Sequence, residues 1–149
     1  MRKRLLFLLL FFLLPAPLAH GEGISVKDPW VRQNPPGTSV TAAYMVIENP
    51  GADDELLGIS CACAREASIH VIEMKEDSDS MVMREVPSIA VPSGASLALS
   101  PGGTHVMLMG LSGDMDKSVV LELEFRSGAR ISVTAPVLSP KAARKHDHH

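Results

Sequence analysis

Aromatic residues are nearly missing from this sequence: its 149 residues hold one Trp, one Tyr and four Phe. Phe7, Phe11 and Phe12 fall in the apolar N-terminal stretch, so a folded domain further along has only Trp30, Tyr44 and Phe125 to build with. Its core must be mainly aliphatic. Basic charge is also in short supply. Without Arg2, Lys3 and Arg4 of the N-terminal stretch, 11 of the 14 Lys and Arg remain against 17 Asp and Glu, a net charge near −6. So acidic a domain is a poor match for a polyanion, which argues against a nucleic-acid binder. From Ile24 onward no segment carries a convincing helical period, and no internal repeat is visible.

What is present begins with an address. Arg2-Lys3-Arg4 precede an apolar run over residues 5–14 and then Pro15-Ala16-Pro17-Leu18-Ala19. A basic start, a short apolar segment and a small residue before the break make a secretory signal peptide over residues 1–19, with cleavage expected after Ala19 or Gly21. The run is too short and wrongly flanked for a membrane span, so a periplasmic protein without a membrane anchor is expected. No Cys sits at the boundary, and a bacterial lipoprotein anchor is not indicated. The remaining chain, about 130 residues, suits one domain with a genuine core. We place it at residues 22–138, followed by a disordered His-rich tail over residues 139–149.

Within that domain, β-forming segments alternate with turn signals. Residues 40–48 end at Asn49-Pro50-Gly51, and residues 56–63, 67–74, 82–86, 97–99, 105–109, 119–125 and 131–137 follow. Val119, Leu121, Leu123 and Phe125 alternate with Val120, Glu122 and Glu124, the pattern of a strand with one buried and one wet face. Roughly seven to nine short strands at this spacing predict an all-β Greek-key β-sandwich or small barrel.

The chemistry concentrates between His70 and Met109, which holds two of the six His and five of the eight Met. Residues two apart in a strand share a face, so His105, Met107 and Met109 point one way. His70 and Met74 repeat the pattern, as do Met81 and Met83. The polar turn over residues 76–80 would fold two strands together and lay His70 near Met81 or Met83. Methionine commonly fills gaps in cores and a lone His is usually structural, but imidazoles and thioethers in register select for a soft metal, with thioether sulfur favouring Cu(I).

These residues carry a resemblance. Asp28-Pro29-Trp30-Val31-Arg32, the run TAAYMVIENPGADDELLG, His70, Met83-Arg84 and PGGTHVMLMGL together resemble the periplasmic copper chaperone family PCuAC, over most of the domain from Trp30 to about Ala135. The family's metal motif is HxnM, twenty-one residues, then HxM, with n commonly ten. Met83, twenty-one residues, His105, one residue and Met107 fit its second half, whereas twelve residues separate His70 from Met83. Met81 would restore the ten and make the next interval twenty-three. Met83 is preferred, because Arg84 follows it and the acidic turn can absorb two extra residues. The resemblance implies a cupredoxin-like β-sandwich that holds Cu(I) through His70, Met83, His105 and Met107. It further implies a monomer that is not an enzyme and passes copper by ligand exchange towards the CuA centre of cytochrome c oxidase, through subunit II or another copper chaperone.

Two features stand beside that site. His146, His148 and His149 in the tail form a tract of the kind that captures Cu(II). Cys61 and Cys63 are two apart; in a strand their Cα atoms would sit near the outer limit for a disulfide, roughly 6.8 Å. A reducible bridge, a thiolate copper site, a contact between chains and inert buried thiols all remain open. A thiol oxidoreductase built on this pair is the enzyme alternative, weakened because CxxC at a helix start is the usual redox arrangement. An electron-carrying cupredoxin would need a Cys on copper, and none lies between His70 and Met107. A copper-buffering or resistance protein would differ from a chaperone only in its partner.

Overall fold

Turn residues cut the chain into short β segments whose boundaries follow the side-chain pattern closely. The computed structural model describes residues 23–76, 80–112, 115, 117–139 and 141–143. The leader at residues 1–19 with its cleavage positions, and His146, His148 and His149, lie outside the described residues. The strands are β1 (Ser25–Arg32), β2 (Val40–Asn49), β3 (Asp54–Ser60), β4 (Ala64–Met74) and β5 (Met81–Val86). They continue as β6 (Ile89–Val91), β7 (Ala95–Leu99), β8 (His105–Leu111), β9 (Ser118–Phe125) and β10 (Arg130–Leu138). In β9 the expected alternation holds throughout, with Val119, Leu121, Leu123 and Phe125 buried and the residues between them exposed.

One sheet runs β5-β4-β8-β2-β1 and the other β10-β9-β3-β6, joined where β1 pairs in parallel with β10 at Val31 and Val137. Ile47, Leu99, Val106 and Leu108 from the first sheet meet Leu56, Val91, Leu121, Leu123 and Phe125 from the second, all at 2% exposure or less. This is the all-β sandwich expected, with Phe125 the one aromatic among these core side chains. Each such aliphatic side chain contributes about 1.5–3 kcal/mol by leaving water.

Two irregularities position residues on the outer face of the first sheet. β7 and β8 lie along the same flank of β2, pairing with Met45–Asn49 and Val40–Ala43 respectively. The loop between them closes through Ser100 N–H to the Thr104 carbonyl at 2.8 Å and Gly103 N–H to the Ser100 carbonyl at 3.0 Å. Gly102 takes φ +79° there, a left-handed turn that glycine adopts without steric cost. In β1 the register shifts between Lys27, opposite Val46, and Trp30, opposite Tyr44. The extra residue of this bulge, at which Asp28 adopts φ 47°, turns Trp30 outward beside Tyr44 while Val31 stays in the core.

Two expectations need correction. Residues 56–63 do not form one strand: β3 ends at Ser60, and Cys61 and Cys63 sit in a turn with Cα atoms 5.1 Å apart, bridged by a disulfide. The turn supplies the closeness that an extended strand would deny. In the tail, residues 141–143 form a helical turn instead of staying disordered, and Ala143 packs on Trp30 and Tyr44 at 7% exposure. Two aromatic rings on an outer face leave apolar surface that this turn covers.

A buried amide clasps β2 to the second sheet. Asn49, 2% exposed, donates from Nδ2 to the carbonyls of Ala52 and Val91, both at 2.7 Å, while its Oδ1 accepts from Gly51 N–H at 3.0 Å. Replacing it strands a buried carbonyl without a donor. Asn49→Ala is expected to lower unfolding free energy by about 1–3 kcal/mol in urea titration.

Candidate metal centre

The period of two along β4, β5 and β8 decides which side chains can meet. Ile69 of β4 and Val106 and Leu108 of β8 face the core. Their neighbours His70, His105 and Met107 therefore face outward from the first sheet. His70 pairs directly with His105 across β4 and β8, and Ser68 pairs with Met107. The two imidazole rings stack at a centroid distance of 6.0 Å and 19°. On the other flank of β4, His70 pairs with Glu85, Ile72 with Met83, and Met74 with Met81. The expected hairpin therefore forms, but Met83 lies diagonal to His70, not opposite it. Met81 lies a further two residues towards the hairpin tip.

Each ring is oriented by a neighbour. His105 Nδ1–H donates to the Gly103 carbonyl at 2.8 Å, which leaves Nε2 as the ring's lone pair. That acceptor comes from the β7–β8 loop, so the turn at Pro101-Gly102-Gly103 selects the tautomer. In His70, Nε2 lies 2.8 Å from Ser68 Oγ. Its Nδ1 is buried without a hydrogen-bond partner. A buried nitrogen left bare costs free energy unless something arrives to use its lone pair. His105 is only 7% exposed, with the Tyr44 ring 6.4 Å away, and Tyr44 packs on Trp30 with ring centroids 4.4 Å apart and planes tilted by 39°. Met83, by contrast, is 50% exposed.

The structure thus gathers His70, His105 and Met107 on adjacent strands and sets Met83 one diagonal step away on the same face. Tyr44, whose ring neighbours His105, and Trp30 behind it were not read as site residues. The outward turn of Trp30 depends on a bulge that leaves no local signature beyond Asp28-Pro29. Among the described residues no three His, Cys, Asp or Glu gather in a group suited to a metal. A soft-metal site of more than two donors built around His70 and His105 would therefore draw on the neighbouring thioethers. Cys61 and Cys63 lie in the turn before β4, nine and seven positions ahead of His70.

The β4–β5 register is held on the opposite face of the hairpin. Arg84 donates to Glu73 from Nη2 at 2.6 Å and from Nε at 3.2 Å. The Arg84 hydrogen bonds, opposed by desolvation and aided by the Arg84 charge, hold the Glu73 carboxyl below its ordinary value.

This fold is shared with copper-binding proteins of known structure. The Cu(I) form of DR1885 from Deinococcus radiodurans matches with a TM-score of 0.67 and 27% identity, covering 85% of each chain. The copper-bound PCuAC domain from PmoF2 matches with a TM-score of 0.65 and 22% identity over 78% of this chain and 93% of that one. The protein is a PCuAC-type β domain, and the resemblance seen in the sequence is borne out by the fold. The chain belongs to the LpqE-like family ("Putative lipoprotein LpqE-like"), which it matches over residues 24–137. A relative named "Putative lipoprotein Lxx21020", from Leifsonia xyli subsp. xyli, is 30% identical over 125 residues, 81% of this chain and 73% of its own length.

Because the folded Glu73 carboxyl sits below its unfolded value, the pair supports the hairpin at neutral pH. That support is lost as acidification protonates the carboxyl. Arg84→Gln is expected to return Glu73 to the ordinary carboxylate range, an upward shift read by carbon-detected NMR titration. An unchanged Glu73 titration would show that Arg84 does not set it.

Proposed function

We propose that this protein carries copper, holding Cu(I) between His70, His105, Met83 and Met107 and releasing it by ligand exchange. The observation that carries this reading is the buried, unpartnered Nδ1 of His70, in a ring that stacks at 6.0 Å on a second imidazole whose tautomer is already set. Neutral imidazoles and uncharged sulfurs suit a soft monovalent ion, which needs no deprotonated ligand to bind here. Ser68 and the Gly103 carbonyl act as the outer contacts that fix ring orientation before the ion arrives.

Exposure supplies the direction of transfer. The imidazole end is buried beside Tyr44, whereas Met83 stands on edge strand β5, half exposed. A receiver's donor reaches the Met83 sulfur first and His105 last. The copper–thioether bond breaks as the incoming bond forms, without electron or proton transfer. No substrate bond is made or broken, so the role is holding and handing over, not catalysis. The destination we propose is the one the PCuAC resemblance implies, the CuA centre of cytochrome c oxidase or a chaperone serving it. The compartment we propose is the periplasm, and we propose that His146, His148 and His149 collect Cu(II). A thiol oxidoreductase role for Cys61 and Cys63 is disfavoured, since their β-turn offers no helix N-terminus to stabilise a thiolate.

Cu(I) competition against a chromophoric chelator tests the assignment. His105→Ala is expected to weaken binding by more than about 100-fold, and Ser68→Ala by about 10-fold through loss of ring orientation alone. Copper X-ray absorption of the wild type should show mixed nitrogen and sulfur donors. Wild-type affinity in both His105→Ala and Met107→Leu would remove the site.

A further inference from the structure

The β4–β5 hairpin carries more sulfur than one copper site needs. Met74 and Met81 are direct cross-strand partners, 69% and 67% exposed, and Met83 stands two residues from Met81 on the same outer face. The two faces of this hairpin are built differently. Towards the core side it carries Glu73 and Arg84, an exposed ion pair of the sort that blunts an edge strand. On the outer side it presents thioethers at Met74, Met81 and Met83, where exposed apolar side chains on an unpaired edge invite aggregation. Packing does not account for them, because none is buried. Directly opposed residues have Cβ atoms about 4.5–5.5 Å apart, and two flexible methionine arms from such positions can place both sulfurs on one ion.

We infer that Met74 and Met81 form a second, weaker Cu(I) site at the hairpin end, sharing Met83 with the His70–His105 centre, so that copper enters and leaves through this row of thioethers. The inference rests on the copper-carrying reading of that centre. In each step one copper–sulfur bond forms as another breaks, and the ion stays Cu(I), so no oxidant, reductant or proton is required. Three neutral thioethers hold Cu(I) less firmly than a set containing two imidazoles, which gives the row the weakness a transfer station needs. Met83 belongs to both sets, and its side chain alone has to swing for the ion to pass from hairpin to rings. Met81 is then a ligand of the neighbouring site and not a rival to Met83 for the first.

The test uses the full chain with methyl-labelled methionine, titrated with Cu(I) under reductant. The first equivalent should shift the Met83 and Met107 methyl resonances, and the second those of Met74 and Met81. In the double variant Met74→Leu, Met81→Leu, whose changes are exposed and conservative, the first equivalent should bind unchanged. The second should be lost, and release to a chelator should slow. Shifts at Met83 and Met107 with Met74 and Met81 unmoved at excess Cu(I), or an undiminished second equivalent in the double variant, would overturn the hairpin site while leaving the main centre intact. Shifts at Met74 and Met81 without any at Met107 would instead sink the main centre. No methionine shift at all would remove both.

Discussion

The cross-strand pairing of His70 with His105 is the constraint on which the rest depends. It exists only in one register of β4 against β8, and that register is imposed from the other side of the sheet, where Ile69, Val106 and Leu108 are sealed in the core. A slip of β4 by one residue against β8 would turn His70 inward and bring Ile69 out to water, while His105, held by the pairing of β8 with β2, stayed on the outer face. The hydrophobic effect therefore aligns the donors without touching them. The β7–β8 loop and the β1 bulge add the finer adjustments, one presenting the Gly103 carbonyl to His105 and the other turning Trp30 onto Tyr44, whose ring lies 6.4 Å from that of His105.

A gradient of burial runs across this face. His105 lies on β8 near the middle of the sheet with Tyr44 beside it, while Met83, Met81 and Met74 stand exposed on the β4–β5 hairpin at the sheet's edge. Holding an ion calls for enclosure and oriented donors; giving it up calls for donors a partner can reach. For the copper-carrying role we propose, both are met because the sheet has a centre and an edge, and the proposed donors are divided between them. An edge strand rich in exposed methionine would be an aggregation hazard, and the Glu73–Arg84 pair on its reverse face counters it with charge.

The unusual spacing between His70 and Met83 makes physical sense in this geometry. Twelve residues lie between them, against the ten common in the PCuAC pattern. An even number of extra residues in a hairpin preserves the face on which later side chains emerge, whereas an odd number would invert it. Met83 keeps its outward direction and its place diagonal to His70 despite the longer connection. Fold similarity at 27% identity to the Cu(I) form of DR1885 fits a scaffold that tolerates change in its turns more readily than in its alternation.

By itself the sequence determined eight of the ten strands, the sandwich class and the sharing of one face by His105 and Met107, because a side-chain period of two and strong turn residues such as Asn49-Pro50-Gly51 are local properties; β1 and the three-residue β6 were not marked. It also marked His70 and the methionines as candidates, since their chemistry does not depend on neighbours. Which residue faces His70 was decided only by tertiary structure, because strand pairing joins positions far apart in the chain. So were the disulfide at Cys61 and Cys63, made feasible by an early end to β3, and the covering of Trp30 by Ala143. Those outcomes turn on a one-residue bulge, a strand boundary and a helical turn, small local choices whose energies are settled by long-range packing.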